Sequence, residues 1–378
     1  NRLKIIYFFT YGYSLKTWED SSTLDREVKY FNYLSDNYDI NFTIVTYGDE
    51  VDLKYSDMFK NAKIIPIYSI FSYSKYKFIN ISKSFLIPFK LKNIIKESNF
   101  IIKQNQLLGS WVSCIFKLLT KKRLYIRTGY DMYLFSLKDK KSLFKRFLYR
   151  LLTHLSLKFS DLYTVSSNSD YDFIQNEFIN KNKNVAILSN WIEIYQPKHI
   201  NERENKFITV GRLEYQKNIQ FLISEFIENN YILEIYGSGS QEKELRKQIG
   251  NMNERINIFP TISNYELMQK LCHTRYFVLG SHFEGNPKVL LEAMAAGCIV
   301  FASNISNHKE IVKHNENGFL FDINPNSLNN LIKSKEPILT NENKIRKISQ
   351  NATNKMETHY SLSKIADKEY GLLLELLN

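Results

Sequence analysis

Two kinds of apolar pattern alternate along this chain. Short continuous runs give way to stretches in which apolar positions recur every three or four residues. Residues 3–9 (LKIIYFF) read as a buried strand leading into a turn around Gly12. Residues 22–34 set Leu24, Val28, Phe31 and Leu34 at helical spacing. Further strands are expected over 42–47, 63–67, 100–103, 124–127, 162–165 and 185–188, with a helix over 110–119. Residues 73–96 form a basic, aromatic stretch. Residues 141–159 predict a strongly basic amphipathic helix, with Leu143, Phe144, Phe147, Leu148, Leu151, Leu152 and Leu155 on one face. Residues 197–205 are polar and aperiodic, as a linker would be. The alternation then restarts, with strands over 207–210, 232–236, 256–259, 276–279 and 299–302 and helices over 219–228, 241–249 and 265–271. Residues 362–377 predict a closing amphipathic helix. Strand and helix alternating twice over predict an α/β chain of two doubly wound domains with a ligand cleft between them.

A length of 378 residues suits two domains. We place them at 1–195 and 206–358, joined by a linker over 196–205 and followed by the helix of 359–378. No apolar run is long enough to cross a membrane. The chain opens on Asn1 and passes straight into a strand, so no signal peptide is expected, and the missing initial Met reads as trimming. Cys114, Cys272 and Cys298 lie apart in apolar settings, as free thiols of a reducing cytosol would.

The net charge of +12 is unevenly spread. Residues 1–195 hold 29 Lys and Arg against 18 Asp and Glu, whereas the remainder holds 22 against 21. Within 58–160 there are 21 basic residues and three acidic ones, Glu97, Asp131 and Asp139. Two readings of that region stay open: a solvated face of a Lys-rich chain, or attachment to an anionic membrane leaflet, each cation near it worth about 1 kcal/mol. Nucleic acid is not expected as a partner, because no known binding module occurs.

Residues 281–297 (SHFEGNPKVLLEAMAAG) organise the rest. Asn286 suits an N-cap, Pro287 the first helical position and Gly297 the helix end. Val289, Leu290, Ala293, Met294 and Ala296 leave little solvated face, so the helix should be buried. Its start offers unpaired N–H groups to an anion, and Gly285 lets the backbone come close. Glu284 precedes the helix, and Glu292 lies about 7.5 Å along it from Pro287, at about 1.5 Å per residue. Two carboxylates flanking an anion site suit a ligand with a diphosphate in the middle and hydroxyls at both ends, as in a nucleotide sugar. Residues 210–218 (VGRLEYQKN) add Arg212 after a strand and Lys217 near a helix start, two cations able to neutralise a diphosphate, although a solvated charged loop would read the same way.

Glu284 to Glu292 resembles the E-x7-E motif of the retaining, family 4 glycosyltransferases of the GT-B fold, and 210–218 resembles their G-R-L-x-x-x-K-N segment. The resemblance covers almost the whole chain. It implies that Glu284 approaches the donor sugar, that Glu292 holds the ribose, and that Arg212 and Lys217 hold the leaving diphosphate. Gly211, Gly285, Asn286, Pro287, Lys288, Val289 and Leu290 would complete the donor pocket. Gly237, in a lone G-x-G, would edge it, and Phe259 and Thr261 would border the base. It further implies a closing helix that crosses back to the first domain, and same-face transfer to a glycan or lipid-linked acceptor in bacterial surface polysaccharide synthesis, in the cytoplasm or peripherally on the inner face of the membrane.

On the acceptor side, Gly12, Tyr13, Asn105, Arg127 and Tyr130 sit at expected strand ends. The family often carries a His in the loop after the strand at 124–127; this chain has none there, and Arg127 or Tyr130 could donate hydrogen bonds instead, a structural Arg being the other reading. Asp170-Tyr171-Asp172 opens a helix and no metal or other cofactor is expected. His308 and Glu310 read as structural. Two further readings remain: a GT-B epimerase or hydrolase acting without acceptor, and a non-catalytic nucleotide-sugar binder.

Overall fold

The computed structural model describes residues 2–96, 99–178, 184–195, 199–252 and 254–377. The chain forms two compact units: residues 1–188 with 366–378, and 189–365. Each is built on one parallel sheet.

The first sheet comprises β1 (Leu3–Phe8), β2 (Ile40–Thr46), β3 (Ala62–Pro66), β4 (Ile101–Asn105), β5 (Leu124–Arg127), β6 (Leu162–Val165) and β7 (Val185–Ile187), in the order β3-β2-β1-β4-β5-β6-β7. Ile5 is in register with Phe42 on one side and Ile101 on the other. These strands are nearly continuous apolar runs because helices cover both faces of such a sheet. The basic aromatic stretch, left without elements above, folds into two short helices, α1 (Lys77–Ser84) and α2 (Ile87–Ile94). Helix α3 (Ser110–Thr120) follows β4, and the expected basic helix is α4 (Leu143–Phe159).

The second sheet comprises β8 (Glu204–Val210), β9 (Leu233–Tyr236), β10 (Ile256–Phe259), β11 (Thr274–Leu279), β12 (Ile299–Ser303) and β13 (Phe319–Phe321), in the order β10-β9-β8-β11-β12-β13. The short β13 escaped the sequence reading. Helix α5 (Lys288–Ala295) lies between β11 and β12 and is buried over Leu290–Ala295. Gly297 follows it with φ +70, in the left-handed region that favours glycine.

The chain passes between units at Leu188 and Ser189, earlier than the linker expected over 196–205. Gln196, Pro197 and Lys198 lie outside the described residues; the rest of that segment belongs to the second unit. Ile200–Glu202 forms a 3-10 turn, and Arg203, buried, donates from Nη1 to the carbonyl of Ala296 at 2.9 Å. A polar stretch that looks like a linker is there satisfying the carboxyl end of α5.

The closing helix α6 (Leu362–Leu377) joins the first unit from Ala366 onward. It carries Glu369, fully buried, with Oε1 2.5 Å from Nζ of Lys103 on β4 and Oε2 accepting from the Tyr30 hydroxyl at 2.5 Å. Burial alone would raise the Glu369 carboxyl, but Lys103 and Arg127 hold it below its ordinary value.

Candidate active site

In a parallel sheet, ligands bind beyond the carboxyl ends of the strands, where the strand order reverses. In the second sheet that place lies between β8 and β11. The loops leaving these two strands are 211–218 and 280–287, the two segments singled out in the sequence. They are tied together: the His282 N–H donates to the Gln216 carbonyl at 2.9 Å, Asn218 Nδ2 donates to the Gly280 carbonyl at 3.2 Å, and the Tyr215 ring stacks on His282 at 4.6 Å.

The strand ends behind these loops are closely packed. The Gly211 N–H donates to the Tyr236 carbonyl at 3.0 Å, and the Gly237 N–H to that of Phe259 at 3.1 Å. A Cβ on Gly237 would sit 1.9 Å from the Gly211 carbonyl oxygen, so no other residue fits without moving the backbone. Phe259 stacks on Tyr236 at 4.9 Å, and the hydroxyls of Thr261 and Ser238 are 3.2 Å apart, along the same edge.

Glu284 is 5% exposed. Its Oε1 is 2.5 Å from Lys217 Nζ and 2.6 Å from Ser281 Oγ, while Oε2 accepts from Gln216 Nε2 at 3.2 Å. Gln216 donates also to the Phe283 carbonyl at 3.0 Å and accepts from Arg212 Nη2 at 3.4 Å. Arg212, Gln216, Lys217 and Glu284 thus form one connected network in front of α5. Arg212 stands at its exposed end and the Lys217–Glu284 pair at its buried end.

Helix α5 starts one residue later than the sequence suggests. Asn286 does not cap it. Its Oδ1 accepts from the Asn190 N–H at 3.1 Å, and its carbonyl accepts from Asn190 Nδ2 at 3.1 Å, so Asn190 has taken the oxygen that would have capped. Pro287 occupies the N-cap position, and no side chain caps the helix. The carbonyl of Gly285 accepts from Asn307 Nδ2 at 2.6 Å. Val289 is half-buried and Leu290 fully buried. One turn on, Glu292 accepts from Asn264 Nδ2 at 2.8 Å and pairs with Lys288 at 3.0 Å.

His308 is fully buried. Its Nδ1 lies 2.8 Å from the Ser303 carbonyl, and its Nε2 has no hydrogen-bond partner among the described residues. Burial pushes its pKa down to about 4, against the opposing field of Glu284, so the ring is neutral at pH 7.

The residues expected on the acceptor side lie at or just beyond the carboxyl ends of β1, β4 and β5 in the first sheet. Gly12 has φ +82, and Tyr13 and Tyr130 are a little under half exposed. The Asn105 carbonyl accepts from Thr10 Oγ1 at 3.1 Å, and the Arg127 carbonyl from the Gln106 N–H at 2.8 Å. Burial works against the Arg127 charge, but buried Glu369, Tyr30 and Tyr125 raise its pKa, which is a structural partnership. Asp170 lies in the helix Asn168–Glu177, and its N–H is capped by Ser167 Oγ at 3.1 Å. Among the described residues no three His, Cys, Asp or Glu side chains come together as a metal site.

Sequence reasoning missed Gln216, Ser281, Asn307, Asn190 and Asn264. Gln216 and Ser281 stood inside the two segments singled out, but no pattern marked them, and Asn190, Asn264 and Asn307 lie outside both.

Residues 192–355 match the model of the family described as glycosyl transferases group 1. The capsular polysaccharide biosynthesis glycosyltransferase CapH of Staphylococcus aureus is 26% identical over 303 residues, 74% of this chain and 82% of that protein. The UDP-Gal:alpha-D-GlcNAc-diphosphoundecaprenol alpha-1,3-galactosyltransferase of Escherichia coli is 28% identical over 181 residues, 45% of this chain and 46% of that one. The chain spans about half the length of several curated relatives it matches. The crystal structure of Anabaena HepE in complex with UDP and glucose superposes with a TM-score of 0.75 at 15% identity, covering 99% of this chain and 100% of that one. The chain therefore has the fold of the GT-B glycosyltransferases, two parallel-sheet, Rossmann-like units, and its second unit carries the match to glycosyl transferases group 1.

Proposed function

We propose that the chain is a retaining, metal-independent glycosyltransferase of family 4. It moves a sugar from a nucleotide-diphosphate sugar to a hydroxyl of a glycan or lipid-linked saccharide in bacterial surface polysaccharide synthesis. The reading rests on the Arg212–Gln216–Glu284–Lys217 network at the switch point of the second sheet. Arg212 and Lys217 supply two positive charges to a departing diphosphate, and the uncapped start of α5 adds its N–H groups. Two fixed cations can do the neutralising that a divalent ion does elsewhere. Glu284 accepts hydrogen bonds from the donor sugar, and Glu292 from the ribose. The acceptor, taken by the first unit, uses its hydroxyl oxygen to form the new bond to the anomeric carbon on the face the diphosphate leaves, and its proton departs with the diphosphate.

The names of similar proteins agree with this class. HepE was crystallised with UDP and glucose, and the Escherichia coli relative acts on a diphosphoundecaprenol-linked saccharide. For this chain a cytoplasmic place, peripheral on the inner membrane face, follows from an acceptor of that kind. No described helix is long and apolar enough to cross a membrane. The test is a panel of nucleotide sugars with and without lipid-linked acceptors, followed by NMR of the anomeric product. Transfer with retained configuration supports the reading. Donor turnover that never needs an acceptor turns it into an epimerase or hydrolase, and binding with no turnover turns it into a carrier.

A further inference from the structure

Helix α4 is turned the wrong way round for a helix in water. Its inward side presents the buried Thr153, Ser156 and Leu157 and the half-buried Tyr149. Leu143, Phe144, Phe147, Leu148, Leu151 and Leu155 point outward and are between 37% and 79% exposed. At about 100° per residue the two sets lie on opposite sides of the helix. With about 200 Å² available on each large side chain, those six expose roughly 650 Å², at or beyond the largest patch on an ordinary monomer. Half a turn of rotation would hide the stripe, yet a hydrogen bond from Ser156 Oγ to Ser110 Oγ on α3, at 2.8 Å, holds the polar side in.

A second apolar ridge flanks the same helix α3. There Phe78, Phe85, Leu86 and Phe89, on or beside α1 and α2, are all close to half exposed or more. Trp111 on α3 donates from Nε1 to Ser84 Oγ at 2.8 Å and its ring lies 6.3 Å from Phe85, so both ridges border the amino end of α3.

The charges around these ridges select the occupant. Lys145 edges the α4 stripe on one side and Arg150, which also pairs with Glu177 at 3.1 Å, on the other; Lys158 continues it, and Lys77, Lys90 and Lys92 are exposed on α1 and α2. Of the three acids in 58–160, Asp131 is buried, Asp139 is paired with Lys141 at 2.7 Å, and Glu97 lies outside the described residues. Leucine and phenylalanine along one line, with cations at its margins, match the boundary between acyl chains and anionic headgroups. From Leu143 to Leu155 the stripe runs about 18 Å along the axis, enough to lie in that boundary.

We infer that α4, with the α1–α2 ridge beside it, is an interfacial docking device that seats the first unit on an anionic lipid leaflet, apolar stripe down. The inference deepens the lipid-linked acceptor reading, but it stands on residues that take no part in the sugar chemistry, so the two fail separately.

The test is sedimentation of the purified chain with vesicles, some of phosphatidylcholine alone and some with about one-third phosphatidylglycerol. Binding at least tenfold stronger to the anionic vesicles, weakening as salt is raised, is the expected result. The triple variant Phe144→Glu/Phe147→Glu/Leu151→Glu should lose at least tenfold while keeping the thermal transition, since its side chains are already in water. The pair Lys145→Glu/Lys158→Glu should bind several-fold more weakly with a flatter salt dependence, and it keeps the test decisive should the triple variant unfold. Donor turnover with a water-soluble acceptor and no vesicles should stay unchanged in both. Equal binding to both vesicle types, no binding, or binding that survives both variants overturns the inference. So does a wild-type dimer that the triple variant makes monomeric, which would assign the stripe to a second copy.

Discussion

At the strand ends of the second sheet, two loops exchange charge: Arg212, Gln216, Lys217 and Glu284 are linked side chain to side chain. At the matching strand ends of the first sheet, between β1 and β4, the ties are neutral. Thr10 donates to the Asn105 carbonyl, the Tyr11 N–H donates to the Leu108 carbonyl at 3.0 Å, and the Tyr11 ring packs against Tyr47 and Trp111 at 5.0 and 5.2 Å. Behind this rim the first unit buries one ion pair, Lys103 with Glu369. One fold has been fitted with an ionic rim and an uncharged one. An ionic rim serves a ligand that carries charge, and an aromatic rim serves one held by stacking and neutral hydrogen bonds.

The contrast can be broken from either side. The largest effect is expected at the buried pair of the first unit. Glu369→Ala strands the Lys103 ammonium in the core and should cost about 3–5 kcal/mol of stability, read from urea unfolding. Because the Glu369 carboxyl is held below its ordinary value, its contribution is complete above the ordinary carboxylate pKa. It is lost as pH falls through the lower, folded value. In the second unit, Arg212→Ala and Lys217→Ala should each lower the transfer rate by about 10²–10³-fold, the usual effect of removing one group that stabilises developing charge. Exposed Arg212 should leave unfolding little changed, whereas Lys217→Ala should also destabilise the unit, because it leaves buried Glu284 without its ion-pair partner.

A smaller effect belongs to Asp131, which caps the helix Met132–Lys138 through a 2.6 Å bond from the Leu134 N–H. Burial raises its carboxyl to about 6. The folded chain therefore binds that proton more tightly, and the stability it lends is full at low pH and lost as pH rises from about 4 to about 6. Asp131→Asn should flatten this part of the stability profile, by about 3 kcal/mol. The smallest effect is expected at Gln216, which acts through its neighbours. Gln216→Ala should slow transfer about tenfold, roughly 1.4 kcal/mol. Adding it to Arg212→Ala should cost little more, because the two share one network.

What could be read from the sequence was what is local in it. The strands of both sheets are short apolar runs. The ionic rim is drawn from two stretches, 211–218 and 281–292, whose charged residues are neighbours along the chain. What escaped was set by distant partners. Asn286 looks like a cap until Asn190 claims it, across 96 positions. Arg203 looks like part of a linker until the Ala296 carbonyl is placed beside it. Seven of the nine leucines and phenylalanines of α4 are legible as a face, but which way that face turns depends on Ser110 meeting Ser156. Helices α1 and α2 were hidden because they are short and their apolar residues crowd without a clear period.

Burial of Glu369 against Lys103 also bears on how the gene could be divided. A fragment stopped at Leu188 would encode all seven strands of the first sheet yet lack the carboxylate that neutralises an ammonium in the middle of it. The first unit is therefore written in two separated passages of the message. Joining residue 366 and its successors to residue 188 through a designed bridge should yield an autonomous half-protein where simple truncation would not.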